Sequence, residues 1–198
     1  MLSGRVDGKG LMSAIVPLLI LAVILLAVPL WVVSVYNRLV SLRNLVENAW
    51  AQTDVQLKRR CDLIPNLVET VKGYATHERQ TFENVMQARN AAMNAAGPPA
   101  RAEAENVLTG AIKSVFAIAE AYPELKANQG FLSLQTELTT TEGYIVQCRS
   151  HYNDAVLAFN NALQVFPMNV VAGLFKFEPR EFFGTSEPAK REPAKVQF

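Results

Sequence analysis

The sequence predicts an all-α protein in which an N-terminal transmembrane helix is followed by an antiparallel four-helix bundle. Three observations carry that expectation. No Asp, Glu, Lys, Arg or His occurs from Gly10 through Asn37. Apolar residues recur at alternating steps of three and four along the second half of the chain, and no alternating strand pattern bounded by turn pairs competes with them. At 198 residues, 50% hydrophobic and 19% charged, the chain holds enough material for one domain plus one extra segment. A formal net charge of +1 supplies no global basic field, which removes the main electrostatic motive for binding nucleic acid.

Residues 1–10 read as a short flank and residues 11–35 as the membrane helix. About 25 helical residues reach roughly 38 Å, more than a hydrocarbon core of about 30 Å. The Leu, Ile and Val side chains between Ile15 and Val33 together favour insertion by roughly 4 to 8 kcal/mol. Pro17 and Pro29 lie towards the ends of the stretch, where a kink costs least. Arg5 and Lys9 would also suit the charged region of a cleaved signal peptide, but the apolar run exceeds the usual 7 to 15 residues and no small-x-small cleavage site follows it. The span is therefore read as uncleaved. Arg5 and Lys9 on one side face Arg38 and Arg43 on the other, with Lys58, Arg59 and Arg60 beyond, a small margin in favour of a cytoplasmic bundle. Trp31 and Tyr36 fall where an interfacial aromatic belt belongs.

Residues 36–183 read as the bundle. Leu42, Val46, Ala49 and Thr53 mark one apolar stripe, and Ile64, Val68, Val71, Ala75, Phe82 and Val85 another. Between them, either Pro65 kinks one very long helix, or Asp62 caps a new helix with Pro65 in its first turn, where a missing N–H is harmless. Taking a break there gives helices of roughly 25 and 35 residues, the second ended by Gly97, Pro98 and Pro99. A third helix, about Pro99 to Tyr122, carries the stripe Ala104, Leu108, Ala111, Val115, Ile118 and Tyr122 and stops at Pro123.

The fourth helix, about Gln129 to Phe166, has the clearest seam. Phe131, Leu134, Leu138, Thr141, Ile145, Cys148, Tyr152, Ala155, Phe159, Ala162 and Phe166 predict left-handed, coiled-coil-like packing. Residues 169–183 would add a short apolar flap over one end of the bundle, and residues 184–198, with Pro188, Pro193 and mixed charges, read as a disordered tail.

Chemical motifs are few. His77-Glu78 opens like a zinc-protease signature, but the second imidazole must stand four residues after the first, and Thr81 occupies that place. His151 reads as a bundle-surface residue and Cys148 as a small buried hydrophobe. Cys61 lies beside Arg59 and Arg60, which could lower a thiol pKa, yet no general base accompanies it. Two cysteines and two histidines suggest neither a disulfide scaffold nor a metal site. No Gly-rich phosphate loop, Gly-x-Ser-x-Gly elbow or paired-carboxylate signature is present, so neither catalytic residues nor cofactors are expected.

The polar residues Asp54, Arg59, Arg60, Asp62, Asn66 and Glu69 surround the bend expected at Pro65. They are read either as a buried structural network or as a partner-docking face. Lys58, Arg59 and Arg60 form the only dense basic cluster, suited to anionic lipid or an acidic partner, or simply to a solvated face.

Several blocks together resemble the LemA family. They are Tyr36-Asn37-Arg38-Leu39-Val40, Ala49-Trp50-Ala51-Gln52, Asp54-Val55-Gln56-Leu57-Lys58-Arg59-Arg60, and the run Asp62 through Tyr74 followed by His77-Glu78. Later blocks agree: Tyr122-Pro123-Glu124-Leu125-Lys126-Ala127-Asn128, Thr141-Glu142, Tyr152-Asn153-Asp154-Ala155-Val156 and Phe166-Pro167. The resemblance implies a bacterial membrane-anchored protein with one span and a helical-bundle domain, and it carries over no catalytic residues. The family includes the magnetosome protein MamQ, so a part in organising membranes follows by analogy.

The expected function is therefore that of a non-enzymatic single-span scaffold or oligomerisation module at the membrane surface. Its partners would be the lipid bilayer and either further copies of itself or another membrane protein. The alternative is a tethered adaptor that recruits a membrane enzyme or protease in a stress response.

Overall fold

A computed structural model of the chain describes the backbone of residues 8–184 and the side chains of residues 17–184 apart from Ala22. Most of the expected flank and tail, residues 1–7 and 185–198, lies outside the described residues. Six helices follow in order: α1 (Gly8–Lys72), α2 (Arg79–Asn94), α3 (Pro98–Ala121), α4 (Pro123–Lys126), α5 (Gln129–Gln164) and α6 (Met168–Leu174). No strand occurs among the described residues, so the all-α expectation holds.

α1 is one uninterrupted helix of 65 residues that contains Pro17, Pro29 and Pro65. In its N-terminal part the apolar side chains pack against nothing: Leu18, Leu26 and Leu30 are 65%, 68% and 71% exposed. This segment is long and apolar enough to cross a membrane. The first buried side chains are Val35 and Leu39, and from there a stripe through Val46, Ala49, Thr53, Leu57, Cys61, Ile64, Leu67 and Val71 faces the bundle.

Of the two alternatives at Pro65, the structure shows the one long helix, and the break that gave helices of 25 and 35 residues falls instead at residues 73–78. Pro65 has no N–H to give the carbonyl of Cys61, its partner four residues back. Arg89 on α2 supplies the missing donor, its Nε reaching the Cys61 oxygen at 2.7 Å. With that acceptor satisfied the helix runs on until Gly73, where the N–H groups of Tyr74 and Ala75 both turn back to the Val71 carbonyl.

α2 descends from this far end, and the chain reverses at Gly97, whose φ of 79° is open to glycine and costly for other residues. Pro98 and Pro99 then occupy the first turn of α3, where an absent N–H costs nothing. After α4, Asn128 caps α5 by accepting from the Phe131 N–H at 3.0 Å. α5 returns antiparallel to α1, as pairs along the two helices show: Asn128 with Tyr74, Glu137 with Arg59, and Tyr152 with Trp50.

The core has a far part where α1, α2, α3 and the start of α5 enclose Leu67, Val71, Val85, Leu108, Val115 and Leu138. Nearer the apolar end of α1 only α1 and α5 continue, and the third side is filled by the C-terminal strap, residues 175–184. Phe177, Phe182 and Phe183 pack there against Val46, Ala49 and Phe159. The expected flap is thus α6 plus an extended strap laid along the bundle.

The α5 seam is buried at Phe131, Leu138, Thr141, Ile145, Tyr152, Ala155 and Phe159. It stops short of the expected end, because the helix finishes at Gln164 and leaves Phe166 77% exposed. On α3 the buried face is Arg101, Ala102, Glu105, Leu108, Ile112, Val115 and Ala119. The expected stripe therefore shares only Leu108 and Val115 with the fully buried set, while Ala104, Ala111, Ile118 and Tyr122 flank it half-buried.

Candidate functional site

Two arrangements of polar groups stand out from the packing, an ion network inside the bundle and the clamp that holds the strap. The network exists because α3 turns two charged residues inward, which is tolerable only when they neutralise each other and their neighbours. Arg60 of α1, 4% exposed, places Nη1 2.9 Å from Glu142 Oε2 on α5 and 3.5 Å from Glu105 Oε2 on α3. Its Nη2 donates to Thr109 Oγ1 at 2.8 Å, and that hydroxyl donates in turn to the Glu105 carbonyl at 2.8 Å. Arg101 lies with Nε 3.4 Å from Glu105 Oε1 and Nη2 3.8 Å from Asp54, and its Nη1 donates to the Ala92 carbonyl at the end of α2. All four long helices of the bundle thus meet at two arginines and one buried carboxylate.

Burial pushes the Glu105 carboxyl above its usual range, and the Arg60 and Arg101 guanidiniums oppose that rise. Cys61, fully buried beside this network, is pushed up to about 11, first by desolvation and second by the negative charge of Glu105. The neighbouring arginines act in the opposite direction but lose, so the thiol is held protonated and away from solvent.

Next to the network a groove of about 410 Å³ opens between α3 and α5, with Ile112, Phe116 and Leu138 as apolar wall and Arg60, Thr109 and Glu142 as its polar end. Glu142 is 43% exposed on its side chain, so the network has one edge in contact with solvent.

The clamp is built from α5. Asn153 accepts from the Phe183 N–H at 2.9 Å and donates to the Phe183 carbonyl at 3.3 Å. Asn160 does the same for Arg180, at 2.9 and 2.8 Å. The Tyr152 hydroxyl donates to the Glu181 carbonyl at 2.7 Å, and burial raises its pKa. Arg43 covers the ring of Phe177, Arg149 covers that of Phe183, and Arg180 pairs with Glu47 at 3.2 Å.

Of the residues singled out by sequence, Arg60 lies at the heart of the ion network and Asp54 at its rim. Arg59 is exposed and pairs with Glu137 at 2.9 Å, while Lys58, Asp62, Asn66 and Glu69 face solvent. The structure therefore does not gather the six around Pro65. The residue that matters at Pro65 is Arg89, which sequence reasoning passed over, as it did Arg101, Glu105 and the strap clamp. A lipid contact by the basic cluster meets a geometric obstacle. Lys58 stands 23 residues past Val35 on a continuous helix, about 34 Å away and beyond a Debye length of about 8 Å, and Arg60 is buried. His77 and His151 are exposed and Cys148 is half-buried. No group of three or more His, Cys, Asp or Glu comes together among the described residues.

Comparison with known proteins gives this architecture relatives. The LemA family matches residues 49–198. The protein LemA of Metamycoplasma hominis is 27% identical over 69% of this chain, which spans only 63% of that relative's length. Magnetosome protein MamQ 2 of Paramagnetospirillum magneticum is 22% identical over 94% of this chain and 77% of its own. Magnetosome protein MamQ of Magnetospirillum gryphiswaldense is 22% identical over 83% of this chain and 71% of its own.

Proposed function

The chain belongs to the LemA family, and from that premise we propose that it is a non-enzymatic, single-span membrane scaffold whose bundle meets other copies of itself beside the bilayer. One observation carries the reading: α1 runs without a break from the apolar segment into the bundle, so no flexible linker separates the two. A tethered enzyme gains reach from a linker, whereas a part that sets spacing and orientation gains from having none. The chemistry near the core agrees, since the Cys61 thiol is buried and protonated and the carboxylate of Glu105 is occupied by two arginines. The name of the MamQ relatives associates them with magnetosomes, which by analogy supports a part in membrane organisation.

Light scattering on the full chain in detergent, beside the chain lacking residues 1–35, tests this. An oligomer that both forms share supports the scaffold, and one that disappears with residues 1–35 overturns self-association through the bundle. Monomers in both cases overturn it.

A second reading, an adaptor for another membrane protein, draws on the α3–α5 groove, whose apolar wall and charged end suit an amphipathic partner segment. Reversing charge at the exposed groove residue Lys113, as Lys113→Glu, separates the two readings, because it would weaken capture of a heterologous partner while leaving the core and self-association intact.

A further inference from the structure

At the end of the bundle where α1 emerges from its apolar stretch, the chain turns sharply at residues 165–167 and enters α6. α6 stands at 91° to α5. Because α5 is antiparallel to α1, α6 also lies across the axis of α1 and so along the plane of any bilayer that α1 crosses. One face of α6 is buried, with Val171 and Ala172 packed on Val32, Val35 and Leu39 of α1. Apart from the exposed Asn169, the elbow and the open side of α6 are apolar: Val165 is 58%, Phe166 77%, Val170 60% and Leu174 72% exposed. Phe175, half-exposed, stacks on Tyr36 with ring centroids 4.8 Å apart.

Solvated helices do not usually gather large apolar side chains on one tip. The height of this patch identifies what covers it. Val32, against which α6 packs, belongs to the same uncharged run as the exposed Leu30 and Trp31, so the patch continues the lipid-facing surface of α1. Charge is arranged to match. Arg38 and Lys176 are exposed beside the patch, Glu178 lies with Lys176 and Arg43 in one recess, and α1 carries no acidic residue from Gly8 to Val46. Lys176, at φ 54°, ends α6 in a left-handed turn that sends the strap back up the bundle and leaves only the elbow facing the membrane.

We infer that the α5–α6 elbow, centred on Phe166, Val170 and Leu174, is a second membrane contact that inserts into the headgroup and acyl boundary of the lipid into which α1 is anchored. Such a monotopic contact reaches about 5–10 Å deep. With the span it makes two attachment points, which fix the rotation of the bundle about α1 as well as its height. The inference rests on the anchored reading but fails separately from it.

The test uses the full chain in vesicles of phosphatidylcholine and phosphatidylglycerol whose acyl chains carry bromine near the headgroup. Trp31 and Trp50 are measured singly in the W50F and W31F forms, and Phe166→Trp and Leu174→Trp are each placed in the form lacking both. Both sites are open, so the larger ring displaces nothing. Quenching at 166 and 174 comparable with Trp31, and several-fold above Trp50, is the expected result. Quenching no greater than at Trp50 overturns the inference. If Trp31 is quenched in that case, the anchor stands alone, and if it is not, the anchored reading falls too. Disulfide formation between Phe166→Cys chains in the same vesicles, with position 166 unquenched, would assign the elbow to a second copy of the chain and overturn the lipid contact.

Discussion

Asn153 and Asn160 stand one heptad apart on α5, and each holds both backbone groups of a strap residue, Phe183 and Arg180 respectively. The match is one of pitch. Seven helical residues rise about 10.5 Å, and three residues of extended chain cover about 10 Å. Two amide side chains on a helix can therefore serve an extended segment as a neighbouring strand would, leaving its polar groups satisfied against an apolar wall.

Replacing either asparagine by alanine removes two hydrogen bonds and strands a backbone N–H and C=O. Asn153→Ala, at the part-buried pair, should cost about 1–3 kcal/mol of strap docking, and Asn160→Ala, whose partners are exposed to water, about 0.5–1.5 kcal/mol. Hydrogen exchange reads this directly: in Asn160→Ala the Arg180 amide should lose protection while amides in α2 and α3 keep theirs. Equal loss throughout would mean that the strap is not a separable element.

Pro65 and Arg89 should be energetically coupled. Arg89→Ala leaves the Cys61 carbonyl without a donor and should cost about 1–3 kcal/mol. In a Pro65→Ala background the new N–H reaches that carbonyl itself, so Arg89→Ala should cost clearly less. A double-mutant cycle measured by denaturant unfolding gives the coupling, and additive effects would contradict it.

Arg60→Met should destabilise the bundle by about 3–5 kcal/mol at neutral pH, because Glu105 then keeps only Arg101. Burial already raises the Glu105 pKa, and Arg60 is the first of the groups that oppose the rise. A carboxyl whose folded pKa is raised contributes stability that is present at low pH and lost as pH rises through that pKa. The deficit of Arg60→Met should accordingly shrink between pH 8 and pH 5, and adding Glu105→Gln should recover much of it at pH 8. A deficit independent of pH would point to lost packing alone.

The Cys61 thiol has the same sign at the alkaline end. Its pKa rises from 9.0 to about 11 on folding, so its contribution is complete below pH 9 and disappears as pH passes 11, worth about 2–3 kcal/mol in all. Tyr152 titrates in the same direction, which makes the comparison with Cys61→Ala necessary. The stability advantage of the native chain over Cys61→Ala should narrow by about 2 kcal/mol between pH 8 and pH 11, and a constant gap would refute the assignment.

These relationships explain what could be read from the chain beforehand. The α5 seam was visible because its spacing is long, regular and local, and the apolar segment of α1 because it lacks charge throughout. The passage of α1 through Pro65 was not visible, since it depends on Arg89 reaching back from a different helix. Arg101 and Glu105 drew no notice, because nothing local marks a charge that turns inward, and their mutual neutralisation with Arg60 exists only in the assembled bundle. Tyr152-Asn153 was noticed as a motif, but its meaning requires the strap, whose extended backbone carries no periodic signal.

The unbroken α1 has a mechanical consequence. From Val35 to Lys72 it extends about 56 Å, so a change of about 10° in the tilt of its lipid-embedded end, of the size that altered bilayer thickness can produce, would sweep the distal tip through about 10 Å. If the apolar end of α1 is anchored as proposed, α1 would act as a lever arm that turns a change in local bilayer thickness into lateral displacement.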